Sequence, residues 1–158
     1  MAVVTIGQTL AEQYDRVWGT LRDALGKMSD QQWRESDCDW LTPVRQAYHI
    51  VETAEFYAGA KGQGYKWGSL GGNWEESPSA ELPSQAQMLA FLERVQATVR
   101  KWLVECGDAE YLLPEAGFAW TGGTRLSRAL YSLRHAQHHL GQLNAELRRK
   151  GLARGEWA

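Results

Sequence analysis

The chain has 158 residues, 44% of them hydrophobic and 23% charged, which excludes a disordered polymer. Its 17 basic residues against 19 acidic ones give a net charge of -2, without the basic excess that nucleic-acid binders carry. Two cysteines, Cys38 and Cys106, do not make a disulfide framework, and no run approaches the ~18 apolar residues of a membrane span.

Four segments have helical periodicity. Leu10, Tyr14, Val17, Trp18, Leu21, Leu25 and Met28 recur at spacings of three and four, which predicts a first helix. Ser29-Asp30 breaks it and opens a short turn through Trp33. Thr42-Pro43 starts a second, with the threonine as N-cap and the proline at the first helical position. Val44, Ala47, Val51, Ala54 and Ala58 share one face of it, and Gly59 and Gly62 close it. Residues 59–74 hold six glycines with Tyr65, Trp67 and Trp74, and Pro78 and Pro83 prolong the irregular stretch. Two readings fit a loop of this length: a crossover whose tryptophans plug the core, or a substrate lid. Ser84 caps a third helix with its stripe at Met88, Leu92, Val95, Val99, Leu103 and Cys106, and Gly107 stops it. A second irregular stretch leads to Thr124. The fourth helix runs from about Arg125 to Lys150 with Gly151 beyond it. Arg148, Arg149 and Lys150 complement its negative end. With no strand alternation and no repeat, the expected architecture is an all-α four-helix bundle spanning 1–158 as one domain. The two long connections allow some helices to run parallel. The first residues, Met1 to Thr5, lack a basic, apolar leader, so a cytoplasmic setting is the default.

The four histidines are His49, His135, His138 and His139. At about 100° per residue, His139 lies about 40° from His135 toward the apolar stripe of Ala129, Leu133, Ala136, Leu140 and Leu147, while His138 lies about 60° the other way. The wheel selects His135 and His139 and rejects His138. His49 sits one turn into the second helix. Three neutral imidazoles from two facing helices can hold a metal and leave a position open. The alternative is three hydrogen-bonded core histidines without metal. An H-E-x-x-H protease is rejected, because Ala136 stands where its glutamate is needed. A dinucleotide fingerprint at Gly62-Gln63-Gly64 is rejected for want of a third glycine and a preceding strand. Cys38 lies between two aspartates, which disfavours a nucleophile, and Cys106 reads as core. Glu52 reads either as support for His49 or as a solvated surface carboxylate.

The segment His135-Ala136-Gln137-His138-His139-Leu140-Gly141-Gln142 resembles the H-x-x-H-H-x-G-Q signature of the DinB-like metal-binding four-helix bundles. The segment from Trp40 to Glu52 is similar to the family's second-helix motif around His49. Leu140 stands where the family often has arginine. The resemblance implies that His49, His135 and His139 bind a divalent metal and that His138 does not. Zinc suits three histidines and one water; nickel, iron or manganese would take more waters. It also implies relatives that transfer low-molecular-weight thiols. Two functions follow as expectations, beside a third and weaker one in which the bundle's metal site is vestigial. One is a metal-dependent transferase joining a small-molecule thiol to an electrophile, with Trp67, Trp74 and Trp120 walling the pocket. The other is a non-catalytic metal-binding stress-response protein acting as a dimer. The family's name refers to DNA-damage induction, which implies regulation and not DNA binding. A homodimer is expected from surplus apolar surface at Val17, Trp18, Phe91 and Trp102.

Overall fold

The computed structural model describes residues 3–59 and 64–157. Its long helices are α1 (Ile6–Gly26), α3 (Pro43–Ala58), α4 (Gln85–Val104) and α6 (Arg125–Arg149), with the short α2 (Asp30–Arg34) and α5 (Asp108–Tyr111) between them. No helix is long and apolar enough to cross a membrane. The ends follow from local chemistry. Thr5, Ser29 and Ser84 each cap a helix through a reciprocal Ser/Thr–Gln box, and Thr124 accepts from the Ser127 N–H. Gly151, at φ 71°, turns the chain after α6. Thr42 does take the N-cap position with Pro43 following it, but its hydroxyl makes no capping bond. Gly62, expected to close α3, lies outside the described residues.

The long helices pack in a ring, α1 on α4 and α6, and α3 on α4 and α6. Cross-helix contacts fix their directions. Asp15 of α1 meets Arg100 of α4, and Arg22 meets Gln96, so these two are antiparallel. Tyr48 and Glu55 of α3 meet Phe91 and Arg94 of α4, so these two are parallel. Gly7 lets α1 lie close against α4: a Cβ there would stand 2.2 Å from the Leu103 carbonyl oxygen. The core is one cluster that joins the predicted stripes to residues outside them, Trp33, Tyr48 and Ile50 among them, with Trp18, Trp33, Tyr14 and Tyr48 fully buried.

Parallel α3 and α4 explain the long connection between them, because the chain must return along the bundle before α4 begins. It does so against α3, in reverse order. Tyr65 donates to Glu55, the Gly68 and Ser69 N–H groups to Glu52, and the Leu70 N–H to Tyr48. Arg45 then holds the Trp74 and Ser77 carbonyls. At the far end, Arg34 holds the Ser79 and Leu82 carbonyls, and Trp33 donates to that of Pro83. The segment is a crossover strap along α3.

The residues invoked for a dimer are taken up within one chain. Val17, Trp18 and Phe91 are buried, and Trp102 lies under the Arg128 guanidinium, 4.7 Å from the ring centre. Val17 also borders a groove between α1 and α6, and Trp102 is partly buried. Arg149 is likewise committed, to Glu146 and Asp37.

Candidate metal centre

Side chains four apart on a helix stack along one face, and antiparallel α3 and α6 set two such rows against each other. His49, Thr53 and Tyr57 on α3 face His139, His135 and Tyr131 on α6. The rungs are His49 Nε2 3.1 Å from His139 Nε2, Thr53 Oγ1 3.3 Å from His135 Nδ1, and the Tyr57 and Tyr131 rings 5.4 Å apart. One ligand atom from each of His49, His135 and His139 lies within 4.8 Å of the others. His138 is exposed and outside this group, as the wheel predicts. Among the described residues no carboxylate or thiol joins it.

Three features suit the cluster to a metal ion. The donors are imidazoles, which zinc and its neighbours accept. They are held neutral. Burial first, then the neighbouring His139 and His135, lowers the pKa of His49 to about 2. Burial first, then His139 and His138, lowers that of His135 to about 4. Burial also lowers His139, against the raising effect of a hydrogen bond that Gln142 accepts from it. Third, the 3.1 Å between two Nε2 atoms is near the roughly 3.4 Å edge of a tetrahedron built on 2.0–2.1 Å zinc–nitrogen bonds. His49 and His139 turn their Nε2 atoms to each other, and the Nδ1 of His49 is buried without a hydrogen-bond partner.

The lowered pKa values predict the acid sensitivity of the metal-free protein. Above pH about 6.5 these histidines are neutral whether folded or unfolded and contribute no pH dependence. Below it the unfolded chain takes up protons that the folded chain refuses, so stability falls as pH falls. Each histidine contributes up to about 1.4 kcal/mol per pH unit, until its folded pKa is reached. Urea unfolding at pH 7.5, 6.5 and 5.5 should show this fall, with a shallower slope in His49→Gln. A flat profile, or an equal slope in the variant, contradicts the assignment.

The walls differ in part from those expected. Trp74 packs on His49 with ring centres 4.0 Å apart. Trp67 is one ring further out, 6.4 Å from Trp74. Trp120 leans on Phe56 and Phe118, and its Nε1 donates to the Tyr57 hydroxyl. Trp40 was not anticipated; it lies 5.8 Å from His49 and 6.4 Å from His139, ring to ring. Tyr131, stacked 6.4 Å from His135, was legible as the residue four before it. Buried polar groups of α3 hold these walls. Gln46 donates to the Trp40 carbonyl at 2.7 Å, and Arg45 grips that of Trp74. Glu52 is neither solvated nor among the metal-group residues. It is fully buried and anchors the strap, and burial pushes its carboxyl upward against the lowering effect of the Ser69 and Gly68 N–H groups. Cys38 is exposed and Cys106 is buried.

Residues 13–143 match the sequence model of the DinB superfamily. The chain belongs to this superfamily. No curated protein matches it. Two solved structures share the fold. A conserved protein of Enterococcus faecalis superposes with a TM-score of 0.75 at 15% identity, over 92% of this chain and 97% of the other. A DinB-like protein of Bacillus cereus ATCC 10987 superposes with a TM-score of 0.71 at 17% identity, over 98% of this chain and 99% of the other. The DinB assignment accords with the all-helical ring and with the H-x-x-H-H-x-G-Q segment on α6.

Proposed function

We propose that the protein is a metal-dependent transferase that joins a low-molecular-weight thiol to a small electrophile. The observation that carries this reading is the set of three neutral imidazoles, His49, His135 and His139, with no fourth protein donor among the described residues. A divalent metal held by three protein ligands has a position left for a small molecule, and its charge lowers the pKa of a thiol placed there. Zinc suits this donor set best. The chain's own contribution is placement. His49 and His139 present Nε2 from opposite helices. Trp74 and Trp40 cover the His49 side and keep water from it. Tyr57 and Tyr131 line the side next to His135, where the electrophile would lie on aromatic faces.

The test is consumption of a panel of low-molecular-weight thiols in the presence of an alkylating bimane, with and without added zinc. Zinc-dependent loss above the uncatalysed rate is expected, abolished in His139→Ala and kept in His138→Ala. Loss no faster than in buffer would overturn the reading.

One feature favours a second function, a metal-binding protein that acts without catalysis as a dimer. A groove of about 770 Å³ opens between α1 and α6, where Leu130 is 50% and Trp157 79% exposed. A light-scattering mass of twice the 17.8 kDa chain, with metal bound and no thiol consumed, would favour this second reading; a monomer mass would end it.

A further inference from the structure

We propose that Thr53 fixes the tautomer of His135 and thereby decides which of its nitrogens is free to bind metal. The inference rests on His135 being a ligand, and it begins from where the threonine's proton goes. Thr53 is buried in the middle rung between α3 and α6. Its Oγ1 lies 2.5 Å from the His49 carbonyl oxygen and 3.2 Å from that of Ile50. A hydroxyl has one proton, and these two carbonyls take it. The same oxygen lies 3.3 Å from His135 Nδ1. With its proton committed, Oγ1 can only accept, so Nδ1 must be the protonated nitrogen. A neutral imidazole carries one N–H, which leaves Nε2 with the lone pair.

This matters because free neutral histidine favours the opposite form, with the proton on Nε2. Left alone, His135 would present a blocked nitrogen, and binding metal would require it to change tautomer first. His49 has no such lock: its Nδ1 is buried and unpartnered, whereas that of His135 is tied to α3. The tie also joins two ligands. The hydroxyl that receives the His135 N–H donates to the backbone of His49, so the positions of the two rings are linked across the helix pair. A threonine that merely bonds back to the carbonyl four residues earlier is a common feature of helices and would leave His135 indifferent to its loss. The two roles therefore separate under substitution.

Thr53→Val keeps the shape and removes the hydroxyl; Thr53→Ser keeps the hydroxyl. In metal-free protein with 15N-labelled histidine at pH 7.5, long-range proton–nitrogen correlation reads the tautomer of each ring directly. The wild type and Thr53→Ser should show His135 protonated at Nδ1 and bare at Nε2, and Thr53→Val should shift it toward Nε2–H. Zinc affinity, titrated against a chromophoric chelator, should fall about 10–100-fold in Thr53→Val and be restored in Thr53→Ser. An Nε2–H form in the wild type, or the same tautomer in all three proteins, overturns the proposal. A wild type that shows the Nδ1–H form yet binds no zinc would overturn the metal reading and leave the threonine's control of the ring standing.

Discussion

His49→Ala, His135→Ala and His139→Ala should each abolish tight zinc binding, while His138→Ala should bind as the wild type does. Removing one of three ligands leaves two imidazoles, too few for either a structural or a catalytic site. The loss should exceed the 10–100-fold typical of an outer partner such as Thr53. His138 is the internal control: it is next in sequence to His139 and similar in chemistry, but it faces outward from α6. Competition with a chromophoric chelator gives the four affinities on one scale. Equal losses in His138→Ala and His139→Ala would contradict the helical face on which the site is built. So would retention in any one of the other three.

The second large effect is expected at Arg45. Its side chain is 3% exposed, ion-paired with Asp39 at 2.9 Å, and donates to the Trp74 and Ser77 carbonyls. Arg45→Ala strands those acceptors and releases the strap from α3. A buried charged hydrogen bond contributes about 1.5–3 kcal/mol, and breaking a fully buried pair costs about 3–5 kcal/mol. Asp39 is largely exposed, which discounts the pair, so a loss of about 3 kcal/mol is expected. Arg94→Ala, which breaks the exposed pair with Glu55, should cost under about 1 kcal/mol. Urea midpoints compare the two. Tryptophan emission should shift red in Arg45→Ala as Trp74 leaves His49. Equal midpoints in both variants would show that the strap does not depend on this arginine.

Much of this was legible in the sequence. The four stripes predict four helices within a few residues of their observed ends, because a long amphipathic helix repeats its signal over several turns. The histidine pair on α6 is legible for the same reason, and the wheel separates His138 from it. Spacing by four also places Tyr131 beneath His135, and Thr53 and Tyr57 along His49, a row that becomes visible once the two helices are set antiparallel. The α5 turn, with only four residues, has no period to read. Glu52, Arg45 and Gln46 were harder still. Residue type alone sends Glu and Arg to the surface, and their burial depends on a strap distant in sequence that brings backbone N–H and C=O groups to meet them. The same dependence hid Trp40, whose place beside His49 is set by Gln46 and by the return of Trp74. Val17, Trp18 and Phe91 marked apolar surface correctly, but periodicity cannot say whether another helix of the same chain or a second chain covers it.

If His49, His135 and His139 together hold one divalent metal ion, bound metal depends on all three. The most direct measurement is elemental analysis of untagged protein, purified without a nickel column, loaded with zinc and dialysed against metal-free buffer. One zinc per chain is expected in the wild type and none in the triple variant His49→Ala, His135→Ala, His139→Ala. Zinc absent from the wild type, or retained equally by the triple variant, would contradict it.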